Sequence, residues 1–168
     1  MFSRIDISDI IIGHFKTFKS LNDGKMIWWD IILMVLFPIV ISIFLVRHNI
    51  TLDNIMGDLI KAIAVFGAFL FNLLALIYNL KEKLKQSTKD DPIKSLFAKH
   101  IHANIAYSIL LSIVMIILFI VYEIVQTLNT CELIDSIYTG IILSLLIHYL
   151  LTLIMILVNV YVILNTEE

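Results

Sequence analysis

Ser144, His148, Thr152 and Asn159 are the polar residues of a long apolar run near the end of the chain. Rotating each residue by about 100° places all four, with Met155 between them, within an arc of about 80° on one helix face. Polar groups at bilayer depth are costly unless they find partners or water. Two chemistries fit the stripe. It can line an aqueous path, with Met155 as an apolar constriction and His148 as a pH-sensitive element. It can also be a helix–helix seam in which the hydroxyls, imidazole and amide bond across a bundle.

A second stripe lies in Met56–Leu80. Gly57, Lys61, Ala64, Ala68, Asn72, Ala75 and Asn79 also share an arc of about 80°. Small residues at this spacing let two backbones approach closely. Asn72 is the exception, because an amide at membrane depth needs a neighbouring helix or water.

The third group is basic. Lys81, Lys83, Lys85, Lys94, Lys99, His100 and His102 crowd one loop, and His14, Lys16 and Lys19 can add to it. As an electropositive rim they would attract a phosphate-bearing ligand or anionic lipid headgroups. The plainer reading is the positive-inside signal of a membrane protein, and no binding to genomic DNA is expected. No glycine-rich phosphate loop, nucleophile elbow or Cys/His metal cluster is present. His100 and His102 stand about 200° apart on a helix and make no metal pair. No catalytic residue, metal or cofactor is therefore expected, and the chain does not read as an enzyme.

These residues must be positioned by membrane helices. The chain of 168 residues is 60% hydrophobic, with a mean hydropathy of +0.98, well above the roughly 45–50% apolar content of soluble domains. Four runs reach the roughly 20 residues needed to cross a bilayer: about 26–46, 56–80, 101–125 and 137–164. The expected fold is all-α, a single polytopic domain of four transmembrane helices. Residues 1–25 read as an amphipathic cytoplasmic helix capped by Asp6 or Ser8, not as a signal peptide. Ile7, Ile11, Phe15 and Phe18 would share its apolar face, resting on a membrane surface or a neighbouring subunit. The Asn22–Lys25 stretch signals a turn, and Asp90-Asp91-Pro92 a break and restart. Trp28 and Trp29 suit an interfacial belt, and Pro38 should remove a backbone hydrogen bond and kink the first span.

Orientation follows from the cations. Of the chain's 12 Lys and Arg, ten lie before the first span or in the middle loop. Only Arg47 and Lys61 lie on the other side. Both termini and the middle loop are therefore expected in the cytoplasm, with the chain multi-pass in the membrane. The sole cysteine, Cys131, excludes an intramolecular disulfide; on the outer side it would be a plain thiol or an intersubunit crosslink.

The segments Asp9–Phe18, Lys25–Ile41 and Phe66–Leu80 resemble a family of small bacterial four-span membrane proteins. The pattern is similar to the transmembrane effectors of the Hailong type of anti-phage defence. That resemblance implies an oligomeric channel, opened by a nucleotide or oligonucleotide second messenger from a partner nucleotidyltransferase, that depolarises the infected cell. The residues themselves lead to a homo-oligomer, because four helices fill their own centre and leave an ion path only on an axis between subunits. The stripe of span four is the preferred lining. A non-conducting membrane adaptor that docks a soluble partner, and a holin-like pore, are the alternatives.

Overall fold

The computed structural model describes residues 7–18, 28–48, 50, 52, 55–86, 92–127 and 132–165. Nearly all of these residues are helical, with no strand among them. Helix α1 covers Ile7–Lys16. The first span runs from α2 (Trp28–Ile31) through a π-helical turn (Ile32–Leu36) into α3 (Phe37–Arg47). Three long helices follow: α4 (Met56–Gln86), α5 (Pro92–Thr127) and α6 (Glu132–Asn165). Four stretches are long and apolar enough to cross a membrane: Trp28–Arg47, Met56–Asn79, Leu96–Thr127 and Glu132–Val162. This is a multi-pass membrane protein. The helices overrun the spans expected from hydropathy by a few residues, because backbone hydrogen bonding continues past the apolar stretch into water. The turn at Asn22–Lys25, Asp90-Asp91, Asp6, Lys19 and Cys131 lie outside the described residues.

The spans form a row. α4 packs on α5, α5 on α6, and α6 on the first span, so the first span and α4 lie at opposite ends. Burial follows this order. In α5 and α6, 39% and 33% of the spanning windows are buried, against 17% and 22% in the first span and α4. The seams are written at heptad spacing. α5 buries Ala98, Ile101, Ile105, Ser108, Ser112, Met115, Phe119 and Tyr122, alternately three and four residues apart. α4 answers with Met56, Ile63, Leu70 and Ile77, one every seven. This period keeps one stripe on the partner over many turns, as in left-handed helix packing.

Gly67 faces α5 in this seam. A Cβ there would lie 3.3 Å from Ser112 Oγ, whose hydroxyl donates to the Ile109 carbonyl at 2.7 Å. Gly67→Leu should therefore pry the pair apart and cost about 1–3 kcal/mol. Gly67→Ala asks only a few tenths of an ångström of one hydroxyl. Denaturation of both variants in bicelles checks the difference.

At the end of the molecule away from α1, the α5–α6 hairpin is closed by polar bonds. Gln126 Nε2 donates to Tyr122 Oη at 2.7 Å and to Asp135. Tyr122 Oη also meets Thr139 Oγ1 at 3.3 Å.

Candidate functional site

Two polar features stand out, one inside the protomer and one on its surface. The inner one begins at Pro38. Proline has no N–H, so it leaves the carbonyl four residues earlier without its helical partner; that carbonyl belongs to Met34. The expected disturbance is present as the π-helical turn Ile32–Leu36. The Met34 carbonyl accepts from His148 Nδ1 at 2.7 Å. A carbonyl can only accept, so His148 Nδ1 carries the hydrogen, and its Nε2 accepts from Tyr107 Oη at 2.9 Å. Thr152 Oγ1 donates to the His148 carbonyl at 2.8 Å, and its hydroxyl is thereby occupied. His148 and Thr152 are both buried. One imidazole thus ties the first span, α5 and α6 together.

Helix α1 adds a second histidine to the same cluster. His14 is fully buried, with its ring stacked on Tyr107 at 3.9 Å and 4°. Its Nδ1 bonds to Asn104 Oδ1 at 2.9 Å. Thr17 Oγ1 donates to the His14 carbonyl at 2.7 Å and lies 3.1 Å from Asn104 Oδ1. The His14 and His148 rings are 5.9 Å apart and nearly perpendicular. Gly13 lets α1 lie close to α5, with its Cβ position 3.6 Å from Ala103 Cβ. His14 Nε2, Asn104 Nδ2, Ser108 Oγ and Tyr149 Oη are buried without a protein hydrogen-bond partner.

α1 is therefore turned over relative to the sequence-based expectation. His14 is buried and Gly13 and Thr17 half-buried, while Ile7, Ile11 and Ile12 are exposed with Ser8, Asp9 and Lys16, and Phe15 is only half-buried. Of the anticipated apolar face only Phe18 is buried. The inward side is held by the polar bonds of His14 and Thr17 to Asn104.

His14 also leaves the proposed basic rim. Burial, its largest influence, lowers its pKa from 6.5 to about 4; the Asn104 bond opposes this and nearby His148 reinforces it. The titratable groups facing it are Tyr107 and His148. Between about pH 6.5 and 4 the released ring binds a proton that the docked ring does not. Stability rises with pH wherever the open state holds more protons, so docking of α1 is full above pH 6.5 and weakens toward pH 4. Proteolysis within α1 should accelerate over that window in the intact protein, and His14→Leu should abolish the pH dependence.

The remaining rim candidates divide. Lys16 and Lys99 are exposed and His100 is half-buried. The side chains of Lys81, Lys83, Lys85 and Lys94 lie outside the described residues. In span four, Ser144, Met155 and Asn159 are half-buried, and Ser144 lines a groove against α3. The polar centre of that stripe, His148 and Thr152, is buried and meets hydrogen-bond partners within the chain. Asn104, absent from the sequence-based candidates, had a readable signal: with Ser108 and Ser112 it forms an i, i+4, i+8 polar row.

The outer feature is the stripe of α4. Gly57, Lys61, Ala64, Ala68, Asn72, Ala75 and Asn79 are all exposed. Its shoulders are bulky and exposed too, with Phe71 and Tyr78 on one side and Val65, Phe69 and Leu76 on the other. Lys61 Nζ pairs with Asp58 Oδ1 at 3.0 Å, both well exposed near one end of the helix. Among the described residues no group of three or more His, Cys, Asp or Glu side chains is placed to hold a metal. The chain matches no protein-family model, no curated protein and no solved structure.

Proposed function

We propose that this chain is a homo-oligomeric, ion-conducting protein of the bacterial inner membrane, with α4 from each copy lining a shared axis. The observation that carries the reading is the outward stripe of α4. A row of four helices encloses no channel, so an ion path must run between copies. Asn72 lies within the hydrocarbon depth on a face that its own protomer leaves uncovered. Facing lipid, its amide is unsatisfied; facing an axis, it meets its counterparts or water. The bulky shoulders favour a ring over a pair, because Phe71 and Tyr78 of one copy can pack on Val65, Phe69 and Leu76 of the next. The small, polar stripe then points to the axis.

The excess of cations at the end that carries the termini supports a cytoplasmic placement of both. The resemblance to defence effectors adds an opening signal, a nucleotide from a partner enzyme, to this proposal. The test is membrane potential in cells expressing the chain, alone and with its genomic neighbour. Depolarisation that needs the trigger supports a gated channel, and depolarisation without one supports a holin-like pore. No change, with the protein in the membrane, favours the adaptor.

A further inference from the structure

A groove of about 550 Å³ runs between α3 and α6. It exists because Ser136, Gly140 and Ser144 recur every fourth residue on α6 and leave a furrow there. Its opposite wall is Ile39, Ile43 and Val46, and at Gly140 the Cβ position is 3.6 Å from Val46 Cγ2. Apart from the serine hydroxyls and Arg47 at one end, the lining is apolar. Ser42, the serine on the α3 side, turns its hydroxyl back to the Ile39 carbonyl at 2.9 Å and presents no free donor.

The groove has a direction. From Ile39 to Arg47 the helix rises about 12 Å, and from Leu133 to Leu145 about 18 Å. One leaflet of a bilayer core of about 30 Å is about 15 Å deep. The groove thus spans a single leaflet, the one at the end away from α1. Its single charged lining residue, Arg47, stands at the water-facing mouth in the last turn of α3 and is exposed. Glu132, also exposed, precedes Leu133 at the same end but does not line the groove.

We infer that this groove holds one acyl chain of an anionic phospholipid, with the Arg47 guanidinium on the headgroup phosphate. The apolar furrow accounts for the tail, its length for the leaflet, and the cation at the mouth for the headgroup. Guanidinium holds phosphate in a two-pronged fork, and a headgroup with no choline cation beside that phosphate is attracted more strongly, which favours the anionic lipid. The site is independent of the α4 face and does not rest on ion conduction.

The test uses the full chain reconstituted in vesicles of mixed phosphatidylglycerol and phosphatidylcholine, then extracted gently for native mass spectrometry. The wild-type chain should retain phosphatidylglycerol in preference to phosphatidylcholine. Arg47→Gln, an exposed change that leaves packing intact, should reduce that preference about fivefold. Ser144→Phe should fill the furrow and lose retained lipid of both kinds. Equal preference in wild type and Arg47→Gln overturns the inference, as does a wild-type chain that retains no lipid. Extraction into inorganic phosphate gives a further arm. A phosphate adduct that replaces lipid in the wild type and survives Ser144→Phe makes this a free-anion site, and also overturns it. So does a dimer whose copies seal the groove without lipid.

Discussion

His148→Leu should destabilise the protein by about 2–4 kcal/mol, and Pro38→Ala should return part of that loss. The leucine removes the donor to the Met34 carbonyl and the acceptor for Tyr107 Oη, which lie 2.7 and 2.9 Å from the imidazole. Helix–helix hydrogen bonds in membranes average only about 0.6 kcal/mol, because chains unfolded in lipid also find partners. Loss of the two bonds alone would therefore cost little more than 1 kcal/mol. The larger figure comes from the Met34 carbonyl, which Pro38 already deprives of a helical donor. An orphaned buried group costs about 1–3 kcal/mol. Alanine at position 38 restores an N–H four residues along, so the carbonyl no longer depends on His148. The two changes should be coupled by about 1–2 kcal/mol in unfolding measured in bicelles. Additivity to within about 0.5 kcal/mol would show that the imidazole does not substitute for the missing backbone donor.

The second large effect concerns α4. Asn72→Leu and Ala68→Phe should each reduce ion flux at least tenfold if this face bounds the path. The first removes the amide and dewets the axis, and the second narrows it. Neither touches the buried seam of Ile63, Gly67, Leu70 and Ile77, so insertion and protomer stability should stay within about 0.5 kcal/mol of wild type. Val65→Leu, on the shoulder, is the matched control and should leave flux nearly unchanged. Flux measured in vesicles containing the purified protein separates the three. Equal flux in all of them would place the path elsewhere.

The sequence carried the four spans because about 20 consecutive apolar residues have few other uses. It did not show which way the helices face. In water, Ile7, Ile11, Phe15 and Phe18 would define the inner side of α1. The chain buries His14 and half-buries Thr17 instead. On α4 the apolar side does turn inward, where Met56, Ile63, Leu70 and Ile77 form the seam at a spacing visible in the sequence. The small and polar stripe is left outside. Span four reads as the preferred lining, yet His148 and Thr152 are bonded within their own chain. The reason was legible only by joining Pro38 to the carbonyl four residues before it, and no local pattern links Met34 to an imidazole 114 positions away.

The contact of α1 with the buried cluster links it to the other helices. α1 reaches the cluster through His14, and the ring it stacks on, Tyr107, is the one that bonds His148. A ligand that pulls α1 away would thus act on the contact between α5, α6 and the first span. Its differential affinity for the docked and undocked states sets how far the balance moves.

Single-cysteine accessibility along α4, with Cys131 replaced by serine, tests the central claim most directly. Current through reconstituted protein would be recorded while a charged thiol reagent is applied to cysteines at 64, 65, 68, 69, 72 and 75 in turn. The account predicts block at 64, 68, 72 and 75, and none at 65 and 69, a pattern with helical period on the stripe. Block at positions 144 and 159 of α6, with none along the α4 stripe, would contradict it.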